Sequence, residues 1–493
     1  MTLRVLLQAL GVPPLAGDEG VEVRGLASDS RRVRPGDLFF AIAGLRQDGQ
    51  AFVRQALASG AVAAVVAEDA SAVDGRLVRV AEPRRALAEA AATFHGQPAR
   101  ALRAVGITGT NGKTTTTYLL ESVFRAAGWR PGVLGTTGAR LDGVTRPLGY
   151  TTPEATELQA LLREMADAGV QAVALELSSH ALVQRRGYGL DLDVALFTNL
   201  SHDHLDYHGT LEAYLDAKLM MFDGRNVSNP VKSATAVVNA DDPVAERVVA
   251  AARRGGMKVL RFGAAAGTDV RIARVETRSD GLVVEIAAGT VAEVRLPLLG
   301  RYNAWNAAGA FAAALALGVA PARAAEGLAA VEGVPGRLER IATARPFEVV
   351  VDYAHTPDAL ERSLAAMREH ARGRVLLVFG CGGERDRAKR PVMGRVARTG
   401  ADEVWVTSDN PRSEDPAAIA DEILAGAGGA GGPVHLELDR RAAIARALAT
   451  AGPGDAVLIA GKGHETTQNL GTQVLSFDDR EVARGLLRAG GRG

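Results

Sequence analysis

A glycine-rich segment between an apolar run and a helix-permissive stretch is the part of this sequence best suited to hold phosphates. The apolar run covers residues 104–107, and Gly109, Gly112, Lys113 and Thr114 follow it. Glycines let the backbone close around phosphate oxygens, a lysine there carries its charge to the outer phosphates, and a threonine offers a hydroxyl to Mg²⁺. The loop is a shortened one, because the full pattern requires a further glycine at the position of Ile107. A plain glycine-rich turn is the alternative.

Two other polar segments follow runs that are typical of buried strands. Glu176 ends the run 172–176, and the segment NLSHDHLDYHG, at 199–209, follows the run 194–198. In parallel sheets ligands bind where strands end, so both segments are expected beside the phosphate loop. A carboxylate at Glu176 suits a Mg²⁺ that bridges phosphates, and the later His and Asp side chains could ligate a divalent cation or orient water. The alternative for Glu176 is a helix N-cap box. The alternative for the segment 199–209 is a polar, capped turn before the helix at Thr210.

Lys218 lies in a predicted helix that covers residues 210–221. Leu211, Leu215 and Leu219 mark the buried stripe of this helix, and Lys218 lies on or beside that stripe. From the pattern alone, Lys218 is expected to be a surface lysine, with its alkyl chain packed on the protein and its ammonium group in water.

Three segments in the last third of the chain could bind a zwitterion. The segment DNPR, at 409–412, follows the apolar run 404–408. Its aspartate could receive an ammonium group, and its arginine could bind a carboxylate through two hydrogen bonds. The segments 380–386 and 461–465 raise the same possibility. For each of them, a tight turn with solvated charges is the plainer interpretation.

Apolar runs and helical spacing give the elements that must position these side chains. Strands are predicted at 37–43, 61–67, 104–107, 132–135, 172–176, 194–198, 235–239, 348–353, 375–379, 404–408 and 456–460. Helices are predicted at 50–59, 83–95, 156–168, 210–221, 303–317, 357–370 and 440–449.

The alternation of strands and helices predicts an α/β fold with three domains. A small α/β domain is expected at 1–99, a central phosphate-loop domain at 100–335 and a Rossmann-like domain at 336–493. The central and C-terminal domains are expected to be doubly wound, mostly parallel sheets. Residues 265–295 are typical of antiparallel strands added at an edge, and residues 334–337 form a predicted hinge.

The composition limits the possible partners. The 493 residues contain 57 Lys and Arg and 57 Asp and Glu, so no overall charge favours nucleic acid or an anionic membrane. The chain has no run of 18 apolar residues and no secretory cleavage pattern. A single cysteine, Cys381, fits a reducing compartment. We therefore expect a cytoplasmic monomer that binds small molecules, with no nucleic-acid partner and no membrane insertion.

Nine segments together resemble the motifs of the Mur ligase family. They are GITGTNGKTTT (106–116), YTTPE (150–154), ELSSHAL (176–182), NLSHDHLDYHG (199–209), GRYNAWNA (300–307), DYAHTPDAL (352–360), GGERDRAKRP (382–391), SDNPR (408–412) and GKGHET (461–466). The N-terminal part resembles the family more loosely, through SDSRRV and PGDLFFA. The resemblance implies three domains, which bind a UDP-linked substrate, ATP and an incoming amino acid.

The resemblance also implies roles for individual residues. The implied catalytic residues are Lys113, Lys218, His204 and Glu176. ATP would be bound by Gly109, Thr110, Asn111, Gly112, Lys113, Thr114 and Thr115. Mg²⁺ would be bound by Thr114, Glu176, His204 and Lys218, the last as a carbamate formed with CO₂. UDP-muramoyl dipeptide would be held by Ser30, Thr151, Thr152, Ser178, Gln184 and Arg186. The added amino acid would be received by Arg385, Asp409, Asn410, Pro411, Arg412, Gly461 and Glu465. Asp352 and His355 resemble positions near the nucleotide.

The reaction implied by the resemblance is an ADP-forming amide ligation in peptidoglycan precursor synthesis. ATP would phosphorylate the γ-carboxylate of D-Glu in UDP-N-acetylmuramoyl-L-Ala-D-Glu, and the amine of a diamino acid would then attack. The DNPR form implies meso-2,6-diaminopimelate, since Arg412 can bind the distal carboxylate that L-lysine and L-ornithine lack. Use of lysine or ornithine is the alternative, followed by a folylpolyglutamate synthase-type ligase and by a nucleotide-dependent binding module without ligase activity.

Overall fold

The computed structural model describes residues 1–44, 48–71, 75–227, 230–429 and 431–489. Within these ranges the strands form sheets of four, eleven, six and two strands. The three larger sheets follow one another along the chain, and parallel pairs predominate in them. The predicted α/β class, with mostly parallel sheets in several domains, is confirmed. No helix in the described ranges has the length and apolar character needed to cross a membrane.

The N-terminal sheet is small and entirely parallel. Its elements are α1 (Leu3–Ala9), β1 (Gly25–Ala27), β2 (Asp37–Phe40), α2 (Val53–Ala58), β3 (Ala63–Ala67), β4 (Leu77–Val80) and α3 (Pro83–Phe94). The strand order is β1-β2-β3-β4. Leu38 and Phe40 pack with α1 and α3 on one face, and Phe39 packs with α2 on the other. This division follows from the two-residue period of a strand.

The central sheet carries the phosphate loop and has eleven strands. The first elements are β5 (Arg103–Thr108), α4 (Lys113–Ala126), β6 (Pro131–Gly135), β7 (Gly138–Leu141), β8 (Val144–Arg146), α5 (Ala155–Asp167), β9 (Ala172–Glu176), α6 (Ser179–Val183), β10 (Val194–Phe197), α7 (Leu205–His208) and α8 (Leu211–Leu219). The later elements are β11 (Thr235–Asn239), α9 (Ala245–Arg254), β12 (Lys258–Gly263), β13 (Val270–Arg278), β14 (Gly281–Ala288), β15 (Thr290–Leu296), α10 (Asn303–Ala316) and α11 (Pro321–Ala329).

The strand order brings the sites predicted from the sequence to one edge of this sheet. It runs β15-β14-β13-β12-β11-β10-β5-β9-β6-β7-β8, with β10 and β9 both parallel to β5. One face packs against α4, α10 and α11, and the other packs against α5, α8 and α9. The expected antiparallel strands at 265–295 are present as β13, β14 and β15.

The C-terminal sheet has six strands, with helices on both faces. Its elements are β16 (Glu339–Arg340), β17 (Glu348–Asp352), α12 (Pro357–His370), β18 (Val375–Phe379), α13 (Lys389–Gly400), β19 (Glu403–Val406), α14 (Pro416–Gly426), β20 (Val434–Leu436), α15 (Arg440–Thr450) and β21 (Ala456–Ala460). A hairpin of β22 (Thr467–Asn469) and β23 (Val474–Ser476) follows, and then α16 (Asp479–Ala489). The strand order is β16-β17-β21-β18-β19-β20.

Two predicted elements near the N-terminus differ from the structure. Residues 50–59 were expected to form one helix but form a 3₁₀ turn, Gly49–Phe52, and then α2, because Asp48 caps the turn through the amide of Gln50. The strand predicted at 37–43 ends at Phe40, and Ala43 instead makes an isolated bridge with Asp48. The other predicted elements agree with the structure to within a few residues at each end.

Candidate active site

The phosphate loop is held tightly against the end of β10. Thr198 Oγ1 and Asn199 Nδ2 both donate to the carbonyl of Asn111, and Thr110 N donates to the carbonyl of Asn199. Gly109 and Gly112 have φ values of +148° and +89°, and a Cβ on them would lie 1.9 Å from Thr198 Oγ1 and 2.2 Å from Asn306 Oδ1. Only glycine fits at these two positions, because both the backbone angles and the space exclude a side chain.

Lys113 begins helix α4 and lies across the loop. Its Nζ donates to the carbonyls of Gly109 and Thr110, at 2.8 Å each. No carboxylate among the described residues lies within ion-pair distance of this ammonium group. Burial lowers the pKa of Lys113, although Glu176 and Asp203 oppose the shift. The loop thus holds a cation whose direct hydrogen-bond acceptors are two backbone carbonyls, at a helix N-terminus that favours anions.

Thr114 and Glu176 meet at the carboxyl ends of β5 and β9. Thr114 Oγ1 donates to Glu176 Oε2 at 3.2 Å, and the backbone and hydroxyl of Thr136 also donate to the carboxylate, both at 2.9 Å. Glu176 is buried, with 1% of its surface exposed. Its carboxylate caps no helix, since the cap of α6 is the side chain of Ser178. The N-cap interpretation of Glu176 is therefore wrong.

Glu176 and Thr114 are suited to hold part of a Mg²⁺ coordination shell. No group of three or more His, Cys, Asp or Glu side chains that could hold a metal ion occurs in the described part of the chain. Mg²⁺ bound with nucleotides commonly takes only one or two protein ligands and completes its shell with phosphate oxygens and water. A buried carboxylate 3.2 Å from a threonine hydroxyl fits such a partial set of oxygen ligands.

His204 lies at the mouth of the same cleft. It has φ +53° and precedes α7, and its side chain is 43% exposed. Burial lowers the pKa of its imidazole, and Lys113 and Lys218 add to the shift, whereas Asp203 opposes it. The neutral form, which can ligate a metal, is thereby favoured. The capped turn at Thr210 is also present, because Thr210 Oγ1 accepts from the amide of Ala213.

Lys218 is buried, so the expectation of a surface lysine was wrong. Only 1% of its surface is exposed, and its Nζ lies 4.1 Å from the centre of the Tyr214 ring. Tyr214 in turn hydrogen-bonds Thr110 of the phosphate loop through its hydroxyl, at 3.3 Å. Burial lowers the pKa of Lys218 well below its ordinary value, and Lys113 adds to this effect. The ammonium has no carboxylate within ion-pair distance among the described residues.

Aromatic and histidine rings surround this end of α8. His180 lies 4.2 Å from the Tyr207 ring and 4.8 Å from that of His204, measured between ring centres. His208 lies 5.1 Å from the Tyr214 ring, and its Nε2 is 2.9 Å from Ser179 Oγ. Burial lowers the pKa values of His180 and His208 to about 4. The rings therefore form a neutral wall near Lys218.

Five of the six side chains predicted to hold the UDP-linked substrate lie together beside Glu176. Thr152 Oγ1 donates to the Glu176 carbonyl at 2.8 Å, and Thr151 Oγ1 is 3.1 Å from Thr136 Oγ1. Arg186 donates to the Thr152 carbonyl and to Gln184 Oε1. Ser178 caps α6 nearby. Ser30 lies apart from them in the N-terminal sheet domain, where its hydroxyl donates to Gln55.

A cavity of about 850 Å³ lies between the central and C-terminal sheets. The residues that line it include Lys113, Glu176 and His204 from the central domain, and Asp352 and His355 from the C-terminal one. Both of the latter were expected near the nucleotide, and the structure places them in this lining. Asp352 accepts hydrogen bonds from the amides of Leu338 and Ala354 and from Ser363 Oγ, so it also fixes the chain after the hinge.

The segment 409–412 is held inside the C-terminal domain. Asp409 and Asn410 are each 8% exposed, so the interpretation of this segment as a turn with solvated charges was wrong. Asn410 Nδ2 donates to Glu465 Oε2 at 2.8 Å, which joins the segment to 461–465. Arg412, at φ +54°, donates from Nη1 to the Gly383 carbonyl. The side chains predicted to receive an amino acid therefore converge from three loops.

The segment 382–391 has an exposed part and a buried part. Arg385 is exposed, and its guanidinium makes no hydrogen bond or ion pair with other described residues. Arg390, by contrast, is fully buried and donates to both carboxylate oxygens of Glu414 at 2.9 Å. Glu414 also accepts from the amide of Glu384. The pair of Arg390 and Glu414 thus fastens the loop that carries Arg385 to the loop that carries Arg412.

Two residues of the site were missed by sequence reasoning. Arg337 was placed only in the hinge, yet its Nη2 donates to Thr114 Oγ1 at 3.2 Å, from 223 residues away in the chain. Lys462 was assigned no role, yet it is completely buried and bonds Glu465 and Asn410. A lysine between two glycines after an apolar strand was the available signal for the second residue.

Comparisons with known proteins agree with this fold. Residues 22–95, 107–314 and 336–463 match the models described as Mur ligase family, catalytic domain; Mur ligase middle domain; and Mur ligase, glutamate ligase domain. A UDP-N-acetylmuramoyl-L-alanyl-D-glutamate–2,6-diaminopimelate ligase from Geobacillus thermodenitrificans (strain NG80-2) is 44% identical over 470 residues, which cover 95% of each chain.

Two solved structures resemble the chain to different degrees. The structure of a UDP-N-acetylmuramoyl-L-alanyl-D-glutamate–2,6-diaminopimelate ligase has 34% identity and a TM-score of 0.72, and covers 99% of both chains. A folylpolyglutamate synthase from Mycobacterium tuberculosis, complexed with ADP, has 21% identity and a TM-score of 0.63, and covers 76% of this chain and 91% of that one. The second likeness extends to the fold alone.

A mostly parallel sheet with a phosphate loop faces a second α/β domain across a shared cavity, and the matching families and relatives show that a chain of this architecture is an ATP-dependent ligase. The chain belongs to the Mur ligase family.

Proposed function

We propose that this chain adds meso-2,6-diaminopimelate to the γ-carboxylate of D-Glu in UDP-N-acetylmuramoyl-L-Ala-D-Glu, with conversion of ATP to ADP and phosphate. The observation that carries the proposal is the convergence of Asp409, Asn410, Arg412 and Glu465 in one corner of the C-terminal domain, where Asp409 and Asn410 are buried. Relatives named for this reaction match the chain over nearly its full length. The product is a precursor for peptidoglycan synthesis, and so serves cell-wall biogenesis, cell shape and cell division.

Carboxylate activation is the first chemical requirement, because a carboxylate is a poor electrophile. ATP transfers its γ-phosphoryl group to the D-Glu carboxylate and leaves an acyl phosphate. Lys113 Nζ bonds the carbonyls of Gly109 and Thr110 at 2.8 Å in the structure. When ATP binds, the ammonium group turns to the outer phosphates and neutralises the negative charge that shifts among them during phosphoryl transfer. Thr110, Asn111 and Thr115 complete the ATP site together with Gly109, Gly112 and Thr114.

Thr114, Glu176 and His204 would hold Mg²⁺, and Lys218 would contribute as a carbamate. Bound Mg²⁺ would neutralise the phosphate charges. Lys218 is suited to carbamylation since its neutral amine is favoured by burial, and only a neutral amine reacts with CO₂. The Tyr214 ring lies 4.1 Å from this amine, and the rings of His208 and His180 follow beyond it.

The UDP-linked substrate would extend from the N-terminal domain to Glu176. Ser30 would meet its uridine part, and Thr151, Thr152, Ser178, Gln184 and Arg186 would hold the muramoyl dipeptide. The hydrogen bonds that join Thr152 to the Glu176 backbone and to Arg186 support this path, because they bring the dipeptide residues to the proposed metal site.

The amino-acid acceptor would bind between three loops of the C-terminal domain. Arg412 binds the distal carboxylate through its guanidinium, Glu465 and the Gly461 carbonyl accept from the distal ammonium, and Arg385 holds the carboxylate near the attacking amine. Asp409, Asn410 and Pro411 shape the same corner. The free amine then attacks the acyl phosphate, and phosphate leaves through a tetrahedral intermediate.

We assign one task to each domain and expect the last two to close together. Residues 1–99 bind the UDP substrate, 100–335 bind ATP, and 336–493 bind the amino acid. Closure about the hinge at 334–337 would protect the acyl phosphate from water. Hydrogen bonds of Asp358 to Asn111 and Ser201 already join α12 to the phosphate-loop side. The enzyme would act as a cytoplasmic monomer.

Phosphate release measured with the purified protein tests the proposal directly. The assay contains UDP-N-acetylmuramoyl-L-Ala-D-Glu, ATP and Mg²⁺, with diaminopimelate, L-lysine, L-ornithine or no amino acid. We expect release that depends on diaminopimelate and is poor with the other two. Equal rates with lysine or ornithine would contradict the acceptor assignment. Release with a folate substrate and glutamate, but not with the muramoyl dipeptide, would favour a folylpolyglutamate synthase-type ligase.

A further inference from the structure

Lys462 is a completely buried charged side chain beside the amino-acid loops. It follows Gly461 after strand β21 and has no exposed surface. The two flanking glycines allow this burial, since Gly461 and Gly463 have φ values of +113° and +52°. A Cβ on Gly461 would lie 2.6 Å from Asp409 Oδ2, so the backbone runs directly past that carboxylate.

The three donors of Lys462 are matched by three acceptors. Its Nζ donates to the Thr467 carbonyl at 2.7 Å, to Glu465 Oε2 at 3.0 Å and to Asn410 Oδ1 at 3.3 Å. An ammonium group has three N–H bonds, so none is left for a ligand. Lys462 therefore touches neither the nucleotide nor an amino acid and can act only through its partners.

Lys462 and Asn410 together fix one oxygen of Glu465 and leave the other free. Oε2 accepts from Lys462 Nζ at 3.0 Å and from Asn410 Nδ2 at 2.8 Å. Oε1 accepts no hydrogen bond from any described residue. The Glu465 side chain is 32% exposed, so this second oxygen is available to a ligand. The carboxylate is thus held in one orientation by buried donors.

The charges of the corner add up differently with and without Lys462. Asp409 and Glu465 bring two negative charges, and Lys462 and Arg412 bring two positive ones, so the four sum to zero. The distal end of diaminopimelate, an ammonium with a carboxylate, is also neutral overall. Without Lys462 the corner carries one net negative charge, which favours an end group that is an ammonium alone.

We propose that Lys462 is a positioning residue that orients the Glu465 carboxylate and, through it, sets the preference of the pocket for a zwitterionic end over a lone ammonium. This inference rests on the proposed function, because it assumes that Glu465 receives the distal ammonium. It assigns a task to a lysine that takes no part in binding or in chemistry.

The variant Lys462→Met tests the proposal by removing the charge while keeping an unbranched side chain. We expect the KM for diaminopimelate to rise about tenfold or more, and the preference in kcat/KM for diaminopimelate over L-lysine to fall about tenfold or more. The KM values for ATP and the UDP substrate, and kcat, should change by less than about threefold.

Lys232 offers a matched control in the central domain. Its Nζ also bonds a carboxylate and backbone carbonyls, namely Asp193 at 2.6 Å, Ala99 at 2.8 Å and Leu102. Lys232→Met should lower the melting temperature yet leave all three KM values and the amino-acid preference unchanged. If Lys232→Met and Lys462→Met raised the KM for diaminopimelate equally, the effect of Lys462 would be explained by stability alone. That result would overturn the proposal.

A double-mutant cycle keeps the test decisive if Lys462→Met folds poorly. Lys462→Met/Glu465→Gln removes both charges and leaves an amide that can still bond Asn410. If Lys462 acts through Glu465, adding Lys462→Met to Glu465→Gln changes the KM for diaminopimelate by less than about twofold, whereas independent action makes the two effects add. Additive effects would overturn the proposal.

The wild-type enzyme separates failure of this inference from failure of the proposed function. If the wild type does not use diaminopimelate, or uses lysine equally well, the proposed function fails whatever the variants do. If the wild type prefers diaminopimelate and Lys462→Met retains that preference, only the role of Lys462 fails.

Discussion

Among the described residues, two lysines on the phosphate-loop side of the cleft lack the carboxylate partners that three buried cations have in the C-terminal domain. On the phosphate-loop side, Lys113 and Lys218 have no carboxylate within ion-pair distance among the described residues, and burial lowers the pKa of both. In the C-terminal domain, Lys462, Arg390 and Arg440 are completely buried, and each has a carboxylate partner, namely Glu465, Glu414 or Asp479.

The difference indicates what each cation is for. A desolvated charge without a partner destabilises the free protein. This unfavourable free energy is removed when an anion binds beside the charge or when the group becomes uncharged or changes its charge by reaction. ATP phosphates would do this for Lys113, and carbamylation would do it for Lys218. A buried charge with a partner is already satisfied, so it can orient neighbouring groups but offers little to a ligand. The absence or presence of a carboxylate partner thus separates Lys113 and Lys218, which are proposed to act in the reaction, from Lys462, Arg390 and Arg440, which hold loops in place.

The largest effect should come from removing the unpaired cation of the phosphate loop. Lys113→Ala should lower kcat by about a thousandfold or more, because its charge acts on the phosphates as they react. Binding of the UDP substrate, measured by calorimetry, should remain within about twofold. Lys258→Ala, which removes an exposed lysine at the start of β12, is the control. Loss of UDP-substrate binding together with turnover would argue against this role for Lys113.

Lys218 should be nearly as important, and its loss should be partly reversible. Lys218→Ala is expected to be almost inactive, since no anionic oxygen can form at that position. Acetate supplied in solution should restore part of the activity, whereas chloride at the same ionic strength should not. Normal activity of Lys218→Ala in the phosphate-release assay would exclude a carbamate role.

Arg412 lies in the C-terminal domain, yet no carboxylate of the described residues pairs with it, so it tests whether an unpaired cation meets the substrate there as well. Its guanidinium bonds the Gly383 carbonyl, which leaves its charge available to a substrate carboxylate. Arg412→Ala should raise the KM for diaminopimelate about 30-fold or more, equal to about 2 kcal/mol, with little change for ATP. Arg395→Ala, on the exposed face of α13, is the control. An unchanged KM for diaminopimelate would remove Arg412 from the pocket.

The pairing of Arg390 with Glu414 predicts a small contribution to the melting temperature that depends on pH. The hydrogen bonds from Arg390 lower the pKa of Glu414 to about 2. A carboxyl group whose pKa is depressed on folding stabilises the protein above its unfolded pKa of about 4.5, and this contribution is lost as the pH falls towards 2. The melting temperature of the wild type should therefore exceed that of Glu414→Gln by a constant amount above about pH 5, and the gap should narrow at about pH 3. A gap independent of pH would contradict the pairing.

Much of the phosphate-loop side could be predicted from the sequence, because its signals are local. Gly109, Gly112, Lys113 and Thr114 lie within six residues, and the strands before Glu176 and His204 are continuous apolar runs. Parallel strands bring their ends to one edge, so the three segments had to meet. The structure places them on the adjacent strands β5, β9 and β10.

The burial of Lys218 and the positions of Arg337 and Lys462 could not be predicted from local patterns. Lys218 and Tyr214 are four residues apart on α8, so their contact is local, but the burial of this face of the helix is set by how α8 packs on the sheet. Arg337 reaches Thr114, and Lys462 reaches Asn410, across long stretches of sequence. Such contacts depend on how separate domains and loops assemble, which no short spacing encodes.

The melting temperatures of Lys218→Met and Lys462→Met, compared with the wild type without nucleotide, metal or CO₂, test the comparison most directly. Both substitutions replace a buried ammonium group by the same apolar side chain. The account predicts opposite signs: Lys218→Met should melt about 2–4 °C higher, because an unpaired buried amine is removed, and Lys462→Met should melt lower by at least as much, because Glu465 loses its partner. A fall of similar size in the melting temperatures of both variants would contradict the claim that a carboxylate partner distinguishes Lys462 from Lys218.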